Sequence, residues 1–282
     1  MDRSMMTAAV TMNQLQQGLD LIANNLANLN TNGYKSRSAT FSSLLAQNMT
    51  RQPDETVNLG RLSPLGIRLG TGARVADTRL KMDQGSIRTT GRALDFALTQ
   101  PDLFFTVSTT GQEGLATTTT GFTRDGAFYL QPDANNPRFL NLVTASGQFV
   151  LDENGNRIRI PGDYAEIHVD PTGEISYKTR GGQNVAVGRL GIVQILRPQL
   201  LKAQGNNVFV LPDLQALGLV VGDVIGPNIA NQPVVQQRAL ESSNVDLSEE
   251  MTKMMTLERS YEFNARSLSV ADDMLALINN LR

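Results

Sequence analysis

Apolar side chains at the start of the chain fall at Met5, Ala8, Met12, Leu15, Leu19, Ile22, Leu26 and Leu29, in steps of three and four residues. That stepping is a heptad seam, which lets a helix pack along its length against another helix. A helix is therefore predicted from Ser4 toward Tyr34, ended by Asn30-Thr31-Asn32-Gly33. Gly33 suits the left-handed position just past a helix C-terminus. The other end of the chain repeats the pattern with Leu247, Met251, Met254, Tyr261, Ala265, Leu268, Leu275 and Ile278, interrupted at Glu258 and Asp272. Asn244 or Asp246 can cap this second helix, and Glu249 and Glu250 sit in its first turn, where the helix dipole favours acids. Neither helix carries enough apolar surface to be well ordered alone, so both are expected to finish folding on assembly.

Between the helices the period changes. From Lys35 to about Gly70 periodicity fades, and Met49 to Gly66 reads as an extended linker containing Pro53 and Pro64. From about Gly72 to Val210, short alternating runs are punctuated by Asp125-Gly126, Ser146-Gly147, Asn154-Gly155, Pro161-Gly162, Pro171-Thr172-Gly173 and Gly181-Gly182. These are strand and turn signals. Two hairpins are predicted, one around Asn154-Gly155 and one around Pro171-Thr172-Gly173. Thr117 to Thr120 reads as a loop tip. Val234 to Leu240 reads as a returning strand. The expected class is α+β: terminal helices paired as a coiled-coil-like hairpin, with a central antiparallel β-rich domain of barrel or sandwich type. The predicted segments are 1–34 (helix), 35–71 (linker), 72–240 (β-rich) and 241–282 (helix).

Composition narrows the chemistry. The net charge of −2 gives no global field for nucleic acid or membrane. Cysteine and tryptophan are absent and histidine occurs once, so disulfides and thiolate chemistry are excluded. Eight basic residues against four acids between Arg51 and Arg92 form a basic stretch, but no aromatic residue lies between Phe41 and Phe96 for base stacking. A polar surface that meets acidic neighbours is the expected reading. No apolar run is long enough to span a bilayer, and no cleavable signal is visible at the N-terminus. On these grounds alone the chain reads as cytoplasmic, with export by a route that uses no cleavable signal left open.

Candidate sites reduce to ordinary structure. His168 alternates with Ile167 and Val169 and is expected to face solvent. Asp152, Asn154, Asn156 and Asp163 match calcium-loop spacing, but Arg157 stands where that loop requires glycine. Asp163, Glu166, Asp170 and Glu174 are close in sequence, yet nothing sets two of them around a cleft. No catalytic constellation, metal site or cofactor is predicted. More telling are Asn24, Asn25, Asn28 and Asn30, indifferent helix formers crowded into a seamed helix. Buried amides can fix register between neighbouring helices, against the alternative of a solvated face.

These residues resemble a known family. Asn24 to Lys35 resembles the N-terminal signature of bacterial flagellar rod and hook axial proteins. Glu241 to Leu247 with Arg259-Ser260-Tyr261-Glu262 is similar to the C-terminal one. Gly85-Ser86-Ile87, Leu94 to Leu98, Phe104 to Val107 and Phe122 to Phe128 fall between them in the family's order. Leu62 to Ala73 resembles a segment characteristic of the distal rod protein. The resemblance implies a non-enzymatic structural subunit, polymerising through its terminal helices into a drive shaft that transmits torque. It also implies signal-less export through the flagellar type III apparatus, localisation in the basal-body rod, and as partners further copies of itself and neighbouring rod and hook proteins. The implied assembly interface is Met5, Met12, Leu15, Leu19, Ile22, Asn24, Asn25, Leu26, Asn28, Asn30, Gly33, Tyr34, Asn244, Val245, Leu247, Met251, Met254, Tyr261, Leu268 and Leu275. A hook-type axial protein is the alternative within the family. A secreted carbohydrate-active protein or an adhesin is the alternative outside it. Two departures stand out: the family usually has glycines near Gln100-Pro101-Asp102-Leu103, and a glycine before the Leu-Glu pair near Gln237-Arg238.

Overall fold

The computed structural model describes residues 2–44, 46–49, 67–70, 72–110, 118–134, 136–226 and 232–280. Of the linker expected from Met49 to Gly66, residues 50–66 lie outside the described residues, as do residues 62–66 and 71 of the segment that resembles the distal rod protein. Helix α1 covers Asp2–Ala27 and helix α2 covers Leu247–Asn280. Between them run β1 (Arg37–Ser43), β2 (Ala46–Met49), β3 (Ile67–Gly70), β4 (Ala73–Leu80), β5 (Ile87–Thr89), β6 (Phe96–Leu98) and β7 (Leu103–Thr110). Then come β8 (Thr118–Thr123), β9 (Phe128–Pro132), β10 (Phe139–Thr144), β11 (Phe149–Val150), β12 (Arg159–Pro161), β13 (Tyr164–Val169) and β14 (Glu174–Thr179). The last are β15 (Asn184–Arg189), β16 (Ile192–Gln194), β17 (Lys202–Gly205), β18 (Val208–Val210), β19 (Val235–Gln237) and β20 (Ala239–Glu241). Their pairings are antiparallel, so the α+β class holds.

The chain divides into two compact units. One comprises Met1–Leu26, Arg37–Arg79 and Asp246–Arg282, and so contains both terminal helices. Here α1 presents the predicted seam inward. Ala8, Leu15, Gly18, Ile22 and Asn25 are buried, and Met5, Met12, Leu19 and Leu26 are half-buried. Gly18 is required by close approach, since a Cβ there would lie 2.8 Å from the Phe41 ring and 3.1 Å from Leu257. The helix ends at Ala27, well before the predicted stop, because Asn28 begins a turn in which its carbonyl accepts the Thr31 N–H at 3.1 Å. Asp246 caps α2, its Oδ1 accepting the N–H groups of Ser248 at 2.8 Å and Glu249 at 3.1 Å. The covered stripe of α2 differs from a strict heptad. Leu247, Met251 and Ile278 are exposed, while Leu257 and Ala271 are covered beside Met254, Tyr261, Leu268 and Leu275. A straight helix of 3.6 residues per turn drifts off a seven-residue repeat, which moves the stripe by one position. This places Glu258 and Asp272 in solvent. Part of the predicted linker is strand: β1 pairs β4, and β2 pairs β3.

The other unit comprises Ala27–Ser36 and Leu80–Val245. Nine strands form its main sheet, along the path β12-β10-β11-β7-β8-β18-β17, with β16 also on β7 and β9 also on β10. Strands β13, β14 and β15 form a separate three-stranded sheet. Alternation along β7 explains the two cores. Leu103, Phe105 and Val107 join a large cluster with Phe96, Phe128, Leu142, Val150, Ile160 and Ile175. Phe104 points the other way, to Phe122, Ile195, Leu201 and Phe209. The Pro171-Thr172-Gly173 hairpin forms as predicted between β13 and β14. The Asn154-Gly155 turn also forms, with the Asp152 N–H on the Asn156 carbonyl at 2.8 Å. Its arms meet in the antiparallel Leu151–Arg157 bridge, and each also pairs with β10. Of the loop tip expected at Thr117 to Thr120, Thr117 lies outside the described residues, and Thr118 to Thr120 form strand instead. These residues open β8 and pair with β7, since β-branched side chains suit a ladder.

The returning strand is broken at Arg238. Up to Gln237 it pairs with β6, and from Ala239 it pairs with β5. Arg238 makes the change with φ at 58°, a left-handed conformation costing an L-residue roughly 1–2 kcal/mol. This is the position near which a glycine was expected, and the backbone keeps the conformation that glycine would favour.

Candidate assembly site

In the unit containing the helices, the buried amide is Asn25. Its Oδ1 accepts the Arg37 N–H at 3.0 Å, and its Nδ2 donates to the Arg37 carbonyl at 2.8 Å. Nδ2 also donates to Glu250 Oε2 at 2.9 Å. One side chain thus ties α1 to the first residue of β1 and to the first turn of α2. Glu250 Oε1 takes Lys253 Nζ at 2.8 Å, and Lys253 also reaches Glu249 at 2.7 Å. Burial pushes the Lys253 pKa down, but its hydrogen bonds to Glu249 and Glu250 outweigh that and raise it. Asn24 and Asn30 are exposed and Asn28 is half-buried. The asparagine cluster therefore splits, and only Asn25 is buried within the chain.

Both helices keep apolar residues on the side turned away from their covered stripes. On α1 these are Met6, 68% exposed, and Val10. On α2 they are Met251, Met255, Phe263, Val270, Met274 and Leu277, with Phe263 at 74%. At about 100° per residue this set lies roughly opposite Leu257, Leu268 and Ala271. A groove of about 360 Å³ is lined by Gly18, Leu21 and Ile22 of α1, by Ala39 and Phe41 of β1, and by Thr256 and Leu257 of α2.

The other unit is organised around a buried carboxylate. Glu241 Oε1 accepts Lys35 Nζ at 2.8 Å and the Gly85 N–H at 2.9 Å. Its Oε2 accepts two donors of Arg124, Nε at 2.9 Å and Nη2 at 2.5 Å. Lys35 also donates to the Asp83 carbonyl at 2.8 Å. Arg124 Nη1 donates to the carbonyls of Gln100, Pro101 and Leu103. That arginine builds the turn that lacks the family's glycines. Burial lowers the Lys35 pKa, with the adjacent Arg124 charge adding to the effect. Burial also lowers the Arg124 pKa, and Glu241 works against that shift. Two cations thus share one carboxylate out of solvent. Gly33 closes the arrangement, its N–H on the Glu241 carbonyl at 2.8 Å. With φ at 64°, a Cβ at Gly33 would lie 2.5 Å from the Arg124 backbone. Its left-handed geometry therefore serves this approach and does not cap α1.

The remaining predicted residues in this unit meet nearby. The Asn244 side chain accepts the Ser36 N–H at 2.7 Å and donates to the Lys81 carbonyl at 2.8 Å. Its N–H reaches the Tyr34 carbonyl at 3.4 Å, and Val245 is buried. Asn207, in a two-residue turn with Asn206 at positive φ, donates to the Asn32 carbonyl at 2.9 Å. Glu241, Lys35 and Arg124 were absent from the predicted interface. The signal that could have found them is three charges set inside apolar or turn motifs. His168 is exposed beside Asp170. Asp152 Oδ1 accepts the N–H groups of Asn154 and Asn156, so the calcium-like spacing builds a turn.

Two long terminal helices in one unit, with the β-rich unit built between them in sequence, define a chain whose ends fold together. Comparison with known proteins gives that class its family. Residues 5–35 match the "Flagella basal body rod protein" family. Residues 102–177 match the "Flagellar hook protein FlgE/F/G D1 domain", and residues 236–281 match "Flagellar basal body rod FlgEFG protein C-terminal". The flagellar hook-basal body complex protein FlhP of Bacillus subtilis is 42% identical over 282 residues, 99% of each chain. The flagellar basal-body rod protein FlgG of Borreliella burgdorferi is 32% identical over 285 residues, covering 100% of this chain and 99% of that one. FlgG of Bacillus subtilis is 30% identical over 286 residues, 99% of each chain. The chain belongs to the flagellar basal-body rod and hook axial protein family. None of these descriptions names an enzymatic activity.

Proposed function

We propose that this chain is a structural subunit of the flagellar basal-body rod, polymerising through its terminal helices into a shaft that carries torque to the hook. The observation that carries this reading is full-length similarity to rod and hook-basal body proteins in a chain whose helices keep a second apolar face exposed. In the polymer, α1 and α2 pair as a coiled-coil hairpin, and the faces bearing Met6, Val10 and Phe263 meet other subunits. The interface residues named from the sequence act in two ways. Met5, Met12, Leu15, Leu19, Ile22, Leu26, Met254, Tyr261, Leu268 and Leu275 hold the hairpin, while Leu247 and Met251 face outward. The partners are further copies of the chain, adjoining axial proteins and the flagellar export apparatus.

A second reading within the family places the chain at the rod–hook junction as a paralogue of the distal rod protein. It is favoured by identity of 42% to the Bacillus subtilis hook-basal body complex protein, against 30% to FlgG of the same organism. Electron microscopy of basal bodies from cells with and without the chain tests both. Rods truncated or hookless in its absence are expected, and intact basal bodies would refute the structural role. Leu19→Asp or Leu268→Asp is expected to block incorporation while the β-rich unit keeps its thermal transition.

A further inference from the structure

We propose that Arg238 is an intersubunit contact, its guanidinium binding a carboxylate on the adjoining subunit of the axial assembly; this rests on the rod-subunit reading above. Arg238 holds φ at 58°, a conformation that glycine adopts without strain and arginine does not. The change of strand partner from β6 to β5 needs that conformation, but it needs no side chain. Within the chain, the side chain makes one contact among the described residues, Nη2 to Glu166 Oε1 at 3.3 Å. Both partners are more than half exposed, at 55% and 60%, so solvent screens the pair and its return is smaller than the backbone strain. Four of the five guanidinium N–H donors remain available. A residue held in a strained conformation without internal compensation points to a role outside the chain.

The surroundings indicate the chemistry of the partner. Thr90 donates its N–H to the Arg238 carbonyl at 2.6 Å, which sets Arg238 against the end of β5. All three residues of β5 are exposed, and among the described residues the strand pairs only with β20. Arg88, at its centre, makes no ion pair among the described residues. The nearby Asp95 is buried and is engaged by Thr90 and Arg92. Two exposed arginines beside an open strand edge fit an acidic protein surface, since guanidinium groups take carboxylates in bidentate geometry.

The test compares the full-length chain with Arg238→Gly and Arg238→Lys. Arg238→Gly is expected to raise the melting temperature of the β-rich unit by about 2–4 °C. Incorporation into basal bodies is expected to fall at least several-fold, with Arg238→Lys intermediate. Stability and assembly would then move in opposite directions, which a merely structural role does not produce. A melting temperature that falls or stays level would overturn the proposal, since the arginine would then be compensated within its own chain. So would a rise in melting temperature with normal incorporation. Absence of the wild-type chain from basal bodies would instead refute the rod reading and the proposal with it. Sedimentation of the purified chain separates two sources of the carboxylate. Weaker self-assembly of Arg238→Gly assigns it to a second copy, and unchanged self-assembly with lost incorporation assigns it to another axial protein.

Discussion

Replacing Glu241 by glutamine removes the one carboxylate between Lys35 and Arg124 while keeping its volume. The side chains of Lys35 and Arg124 are 0% exposed and that of Glu241 is 2% exposed. Water therefore cannot move in to solvate the orphaned cations. Removing one partner of a buried ion pair costs about 3–5 kcal/mol, a large share of the roughly 5–15 kcal/mol that holds a typical domain. The glutamine amide also points donors at groups that are themselves donors. For a unit of this size, the expected fall in melting temperature is about 6–20 °C. Lys35→Met is milder, because it leaves Glu241 with both hydrogen bonds from Arg124. Its main loss is the donor to the Met82 and Asp83 carbonyls, about 1–3 kcal/mol. Combining the two substitutions leaves Arg124 as the single cation of the arrangement, and the Lys35–Glu241 attraction that each single variant loses is lost only once, so the double variant should be less damaged than the sum by about 1 kcal/mol or more. Urea unfolding followed by circular dichroism measures all three, with the helical and β signals fitted separately because two units need not unfold together. A loss below about 1 kcal/mol for Glu241→Gln, or strict additivity in the double variant, would refute the reasoning.

Two further outcomes follow from buried polar groups. Asn25→Leu leaves the Arg37 backbone and Glu250 without their partner, at about 1–3 kcal/mol per group. Hydrogen exchange should show faster exchange in both helices and none in β7 or β10; unchanged helix protection would count against the tie. Asp125 sits in an environment where burial raises its carboxyl above the ordinary 3.8, and the neighbouring Asp95 charge adds to that. The native state then binds the proton more tightly than the unfolded chain. The penalty is full above the raised native value and is relieved as pH falls toward 3.8. Asp125→Asn, which keeps an acceptor for the Ala127 N–H, should be the more stable form near neutral pH and lose that advantage in acid. Thermal scans across that range check it, and a variant less stable at neutral pH would show that the charge is needed.

Local regularity is what the sequence exposes. The α1 seam from Met5 to Leu26 is a pattern within one helix, and the structure turns it inward. The Pro171-Thr172-Gly173 hairpin is legible for the same reason, since turn and register are set within a dozen residues. On α2 the stepping misplaces the stripe, because Glu258 and Asp272 can be put in solvent by a drift that a heptad count ignores. The asparagine cluster has the right composition but not the right division, since only the fold distinguishes Asn25 from Asn24. Least legible is the Lys35–Glu241–Arg124 arrangement. Lysine 35 and Glu241 are separated by 206 residues. No local period links them, and charged residues are ordinarily read as surface.

That separation governs when the fold can close. Residues 27–36 belong to the β-rich unit, yet the carboxylate that holds Lys35 is near the far end of the chain, and Ser36 waits for Asn244, 208 residues away. A polypeptide emerging N-terminus first from a ribosome has no internal counter-charge at Glu241 for its first buried lysine until most of its length has appeared. Closing so long a loop is entropically costly and slow compared with forming a hairpin. Until then the early segment lacks that hold. Its final tightening is timed by the arrival of the last segment, which makes order of emergence part of how the molecule reaches its shape.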